Sequence, residues 1–258
     1  MALSDAYPYI AAGWTLDEAS GTRVDSIGSN DLTDNNTVGS ATGKFSNAGD
    51  FEADNTEFLN CASSADLQGG DVDFMLRGWM KLESQPGGSP GRYLIVKSAG
   101  IDNPTVLEYS LHVDHPYHGL RFSVCDTSNN IGYVSTGTDT IAVDTWYLFH
   151  AWHDSVNNEI GVVLNAGTPV TAAWTSGVRT TGNGFRLGAG HLDLVSTYGL
   201  YDGLLDDVCI LRGYLLNSSE RTADYNGGTG VAFSSWAAAA TKAPPSFRRP
   251  ARFFRRAI

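Results

Sequence analysis

Carboxylates come first, because glycan cleavage depends on them. Glycoside hydrolysis needs an acid and a second carboxylate flanking one bond, ~5–5.5 Å apart for retention. A strand supplies that pair when acids recur at alternate positions, because residues i and i+2 share a face. One run has the Glu-x-Asp-x-x-Glu spacing, Glu52-Ala53-Asp54-Asn55-Thr56-Glu57, but Asp54-Asn55-Thr56 read as a turn rather than a strand. The acidic clusters Asp17-Glu18 and Asp206-Asp207 are adjacent pairs, and alternation sends neighbours to opposite faces. Gly87-Gly88-Ser89-Pro90-Gly91 has the Gly-x-Ser-x-Gly spacing, but Pro90 directly after the serine reads as a turn and not as the helix start of a nucleophile elbow. No phosphate loop or Cys-x-x-Cys pair is present. The expectation is a protein that is not an enzyme. A hydrolase or lyase assembled from distant carboxylates is the alternative.

Histidines do not form a catalytic set by spacing. His112, His115 and His118 would share a helical face, but Pro116 and Gly119 make the segment a hairpin loop. His150 and His153 fall on opposite strand faces. The polar strand faces say more. Arg77, Trp79 and Lys81 share one face of a strand; Glu108, Ser110, His112 and Asp114 share another, and Arg121, Ser123 and Cys125 a third. A sugar has apolar C–H faces and a hydroxyl rim, so aromatic faces and planar hydrogen-bonding groups hold it. Trp79 with Arg77, His112 and Arg121 is the constellation of that type. The competing reading makes Trp79 a core residue and the charges a solvated sheet face.

These residues need strands to position them. Apolar-alternating runs recur at 74–82, 93–97, 107–113, 120–124, 146–152, 160–164 and 204–211, separated by Gly, Asn, Asp, Ser and Pro clusters. That pattern predicts an all-β sandwich or barrel. Helix signal is confined to Asn217-Ser-Ser-Glu220, a capping box whose helix would run to Tyr225 and stop at Asn226-Gly227-Gly228. The chain has 258 residues, 17% charged, with 29 glycines, enough for one large core. No apolar run reaches the ~20 residues of a membrane span. Cys61, Cys125 and Cys209 are widely spaced among apolar neighbours and read as unpaired thiols. Residues 1–230 are expected to form the sandwich, and 231–258 a linker and arm.

The order of motifs resembles laminin-G-like domains of the concanavalin A-like lectin/glucanase superfamily. Gly13-Trp-Thr-Leu-Asp-Glu-Ala-Ser-Gly21 and Asp25 to Asn30 look like that family's first strand and turn, and Gly43-Lys-Phe45 with Phe51 to Leu59 like its second hairpin. Asp73 to Lys81 looks like its long central strand with a Trp. Asp144 to His150, Leu164 to Gly167, Phe185 to Gly188 and Asp202 to Ile210 follow in family order. The resemblance covers about Ala11 to Gly228 and implies a two-sheet antiparallel jelly roll. It also implies a ligand groove on the concave sheet. Related domains carry a calcium near the junction of first and last strands, at an Asp matching Asp206. Alternation groups Asp206 with Val208 and Ile210 on a face that should be buried, and a buried carboxylate must be paired, hydrogen-bonded or metal-bound. Two readings stand: a structural calcium held by Asp206 with Asp25 and its loop, or Asp206 capping loop amides.

Charge is divided unevenly. From Lys242 onward come one Lys and five Arg and no acid; removing these six charges from the net −11 leaves the body at −17. An acidic body argues against nucleic acid as its partner. The arm repeats Phe-Arg-Arg, as Phe247, Arg248, Arg249 and again as Phe254, Arg255, Arg256. Its phenylalanines can be buried while its arginines pair with carboxylates, so neighbouring copies or another protein of one assembly are its expected partners. The opening MALSDAYPYIAAGW has neither the basic start nor the apolar stretch of a secretory signal. With the lectin-like pattern, this suggests a recognition or structural module, extracellular or in a virion released by lysis.

Overall fold

The computed structural model describes residues 2–89, 91–98, 107–192 and 197–237. In chain order the strands are β1 (Ile10–Trp14), β2 (Thr33–Asn35), β3 (Gly39–Thr42), β4 (Asn47–Phe51), β5 (Phe58–Cys61), β6 (Phe74–Leu82), β7 (Gly91–Ser98), β8 (Leu107–Asp114), β9 (Leu120–Cys125), β10 (Ile131–Ser135), β11 (Trp146–Asp154), β12 (Glu159–Leu164), β13 (Val170–Ala173), β14 (Phe185–Leu187), β15 (His191–Leu192), β16 (Thr197–Tyr198) and β17 (Gly203–Arg212). Short helices α1 (Leu3–Ala6), α2 (Ser218–Tyr225) and α3 (Phe233–Trp236) flank them.

Two antiparallel sheets face each other. The larger runs β13-β12-β11-β6-β17-β4-β3, with β1 also paired to β17; the smaller runs β10-β9-β8-β7-β14-β5-β2. Strand alternation builds the core between them. Phe74, Leu76, Met80 and Leu82 of β6 point inward, against Tyr109, Leu111 and Val113 of β8 and Phe122 and Val124 of β9. Trp14 stacks on Phe185 across the two sheets at 5.1 Å, and its indole N–H donates to the Asn30 carbonyl at 2.9 Å. Burying one such aromatic or aliphatic side chain is worth roughly 1.5–3 kcal/mol. Gly78 interrupts the inward row of β6 because a Cβ there would lie 2.7 Å from the Phe149 ring. The result is the two-sheet jelly-roll sandwich expected from the strand pattern.

The larger sheet carries a further layer on its outer face. Ala6, Ile10, Met75, Trp152, Cys209, Leu211, Leu216, Phe233 and Trp236 form a separate apolar cluster there. Helix α2 lies on this face and is capped as its sequence predicts: Asn217 Oδ1 accepts from the amides of Ser219 and Glu220, and Glu220 accepts from the Asn217 amide. Residues 231–237, which composition groups with the linker, are packed rather than loose, because Phe233 and Trp236 are buried.

Arg77 ties this layer down. It is fully buried on β6. Its Nε and Nη2 donate to the Asp224 carboxylate of α2 at 3.0 and 2.7 Å, and Nη2 also donates to the Val231 carbonyl at 2.9 Å. Its Nη1 donates to the carbonyl and carboxylate of Asp207. Asp224 also pairs with His150 Nε2 at 2.9 Å, and Asp207 Oδ2 accepts from the Phe233 amide at 3.0 Å. Burial alone would raise the pKa of Asp224, but the Arg77 charge and the His150 hydrogen bond overcome it and hold it below the ordinary carboxylate value.

Removing one partner of such a node leaves buried charges unanswered. Arg77→Met should therefore destabilise the fold by about 3–5 kcal/mol, read from urea unfolding at neutral pH. Because Asp224 ionises at lower pH folded than unfolded, its stabilisation is present above the unfolded value and lost as pH falls through the folded one. Asp224→Asn should shrink that acid loss. An Arg77→Met protein of unchanged stability would show that the node does not hold the layer.

Candidate functional site

The outer face of the smaller sheet lacks such a helical layer among the described residues. Two cross-strand rungs cross it. One is Ser135, Arg121, His112 and Tyr93; the next is Tyr133, Ser123, Ser110 and Val96. Alternation fixes this row, since Leu111, Val113, Leu120, Phe122 and Val124, the intervening residues, enter the core.

Ring and cation contacts order the face. The Arg121 guanidinium carbon lies 3.7 Å from the Tyr133 ring centroid, and His112 stacks on Tyr93 at 4.5 Å and 22°. The face is open at β10, where Tyr133 is 56% exposed, and closed toward β7, where His112 is 4% and Tyr93 2% exposed. His112 Nδ1 and Arg121 Nε are buried and have no hydrogen-bond partner among the described residues. A buried unpaired polar atom costs about 1–3 kcal/mol, and Trp79 Nε1, His150 Nδ1 and Trp236 Nε1 on the other sheet's outer side are in the same condition. Burial, followed by the Arg121 charge, pushes the His112 pKa down to about 3. The imidazole is therefore neutral at physiological pH and offers one donor and one acceptor nitrogen.

The four residues expected to share a groove do not share one. Trp79 and Arg77 lie on the outer face of the larger sheet, under α2; His112 and Arg121 lie on the outer face of the smaller. Trp79 is 1% exposed. It stacks on Tyr225 at 6.1 Å, meets Phe45 edge-on at 6.3 Å and has Lys44 Nζ 4.4 Å above its ring. Arg77 spends its donors on the node described above. Both are packing residues, so the ligand expectation survives only for His112 and Arg121. Tyr93 and Tyr133 were not singled out from sequence, although Tyr133 sits two residues from Ile131 and Ser135 in an alternating run that could have placed it beside Arg121.

Asp206 is also placed differently from its alternation. A bulge at Asp207, whose φ is +52°, shifts the β17–β6 register between Asp206 and Cys209. Asp206 is therefore opposite Trp79 and faces outward, while Val208 returns to the core. Its Oδ2 accepts the amides of Lys44 and Phe45 at 2.6 and 2.8 Å, and burial pushes its pKa up to about 7. Asp25 Oδ1 accepts the amides of Gly13, Ile27 and Gly28, and Oδ2 accepts from the amide and side chain of Asn30. Asp206 thus caps amides of the β3–β4 turn, Asp25 caps amides of its own loop and of β1, and the two share no partner in these bonds. The described group with oxygens close enough for a cation is a different one, Asp50, Glu52 and Glu83, within 4.8 Å of one another. Asp206 and Asp207 are both nearly fully buried; Asp207 is held by Arg77 and the Phe233 amide, and Asp206 Oδ1 has no hydrogen-bond partner among the described residues. The arm residues Phe247, Arg248, Arg249, Phe254, Arg255 and Arg256 lie outside the described residues.

No protein-family model and no curated protein matches the sequence. Solved structures do. The chain resembles domain 4 of AbnA, a GH43 extracellular arabinanase from Geobacillus stearothermophilus, in complex with arabinotriose: TM-score 0.60, 17% identity, over 83% of this chain and 97% of that one. It also resembles the binding domain of Paraclostridial Mosquitocidal Protein 1, at TM-score 0.63 and 11% identity over 88% of this chain and 53% of that one. The binding domain of Botulinum Neurotoxin DC in complex with SialylT matches at TM-score 0.63 and 11% identity, over 88% and 52%. The chain spans about half the length of these toxin binding domains. At such identities the likeness establishes the sandwich fold.

Because His112 titrates near 3 folded and near ~6.5 unfolded, the unfolded chain binds an extra proton between those values. Its contribution to stability is complete above ~6.5 and is lost as pH falls toward 3. His112→Gln should flatten the loss of stability between pH ~7 and ~4, measured by chemical denaturation at several pH values. An unaltered slope would show that this imidazole is not held neutral.

Proposed function

We propose that this protein is a non-catalytic carbohydrate-recognition module whose binding surface is the outer face of the smaller sheet, at Arg121, His112 and Tyr133. The observation that carries the reading is the exposed Tyr133 ring packed on the Arg121 guanidinium, on a sheet face with no helical layer among the described residues. Aromatic surface next to planar hydrogen-bonding groups is what a sugar's apolar faces and hydroxyl rim require. The likeness to an arabinanase domain solved with arabinotriose, over nearly the whole of that domain, supports the same class of ligand. The acidic body and basic arm favour display of the module on an extracellular or virion-type assembly.

A glycan array followed by calorimetry tests the proposal. A set of glycans should be retained without release of cleavage products. Arg121→Ala and Tyr133→Ala should each weaken the selected glycan by ~1–3 kcal/mol, the loss of an anchor residue, with unfolding midpoints kept. Undiminished affinity in both folded variants would remove this face from the site. Product formation abolished by one Asp or Glu substitution would establish the hydrolase reading instead.

A further inference from the structure

The opposite outer face carries a groove that the recognition surface does not use. A cavity of about 370 Å³ lies between the β11–β13 edge of the larger sheet and the start of α2, lined by Trp152, Asp154, Glu159, Pro169, Leu215 and Arg221 among others. Its floor exists because Trp152 pairs with Gly161 across β11 and β12. A Cβ at Gly161 would lie 2.2 Å from the indole, so only glycine lets the ring lie over the neighbouring strand. Arg221 closes one side, 5.0 Å from the Trp152 ring centroid. Asp154 and Glu159 end the β11–β12 pairing and place two carboxylates in the groove. Asp154 accepts from the amide and side chain of Asn157, whereas Glu159 makes no side-chain hydrogen bond or ion pair among the described residues. The groove therefore combines an apolar floor with an unanswered acid.

The chain itself holds a matching segment. The described residues end at Ala237, just after α3, and Phe233 and Trp236 of α3 belong to the same apolar cluster as Trp152 and Leu216. The 21 residues that follow Ala237 in sequence carry Lys242, five arginines and Phe247, Phe253 and Phe254. Phenylalanine beside arginine answers tryptophan beside glutamate. Ala243-Pro244-Pro245 lies between α3 and the first Phe-Arg-Arg in sequence, and Pro-Pro pairs favour extended chain, which suits reaching a second copy.

We propose that the Trp152–Glu159 groove receives the C-terminal segment Arg252–Ile258 of a second copy of this chain, with Phe254 toward Trp152 and Leu215 and Arg255 and Arg256 toward Glu159 and Asp154. The contact joins two different surfaces, so repetition gives a ring or a filament. It lies on the side of the sandwich away from Arg121, and its failure would leave the glycan reading intact.

Sedimentation velocity of the full chain over a concentration series tests this. The wild-type chain should self-associate, and added salt should weaken it. Glu159→Lys, which breaks no described hydrogen bond, and the Arg255→Glu/Arg256→Glu pair should each raise the dissociation constant about ten-fold, the equivalent of ~1.4 kcal/mol. Combining the two charge reversals should restore association toward wild type, which a general loss of folding would not. A wild-type chain that stays monomeric, as it would with its arm on its own body, overturns the proposal. So does self-association that Glu159→Lys leaves unchanged, or a combined variant no better than either parent.

Discussion

A buried guanidinium has to be answered by every group around it, and Arg77 organises one side of this protein for that reason. It sits in the middle of the longest-paired strand of the larger sheet, away from water. The answers come from far along the chain: Asp207 from a bulge in β17, Asp224 from α2, and the Val231 carbonyl from the segment leading to α3. His150 completes the arrangement from β11. Ion pairs of this depth are not a cheap source of stability, since desolvation offsets much of their attraction. What they provide is position. The helix and the terminal segment have one place where Asp224 and Val231 both meet Arg77.

That constraint makes the two outer faces structurally different. The larger sheet is covered by α1, α2 and α3, so Trp79, the residue that most resembled a sugar platform, becomes a packed side chain under Tyr225. The smaller sheet keeps Tyr133 exposed, packed on the Arg121 guanidinium. Among the described residues a groove remains on the helical side, beside Trp152, where α2 begins rather than where it is anchored. A glycan on one face and a neighbouring chain on the other would not compete for surface.

Much of the fold was legible because strand alternation is a strong signal. Phe74, Leu76 and Met80 of β6 were separated from Arg77 and Trp79 by period alone, and the Asn217–Glu220 capping box marked α2 to the residue. Alternation says which residues share a face but not which sheet a strand joins, and this is where the site reading failed. Arg77 and Trp79 point outward from one sheet, His112 and Arg121 outward from the other. Asp206 failed for a different reason. The bulge at Asp207 adds a residue to one strand, and nothing in Leu-Leu-Asp-Asp-Val-Cys announces it, so the face of Asp206 was misassigned while those of Val208 and Ile210 were right. The pairing of Asp224 with Arg77 spans 147 residues, and no local pattern marks an acid in a short helix as a buried partner.

The central claim is that the two outer faces have separate duties, ligand on the smaller sheet and structural cover on the larger. Hydrogen exchange measured by mass spectrometry, with and without an oligosaccharide selected on the array, tests this most directly. The account predicts slowed exchange across β9 and β10, in residues 120–135 around Arg121 and Tyr133, and no change in residues 218–237 around Asp224 and Trp236. Protection confined to α2 and α3, with β9 and β10 unaffected by a bound glycan, would contradict it.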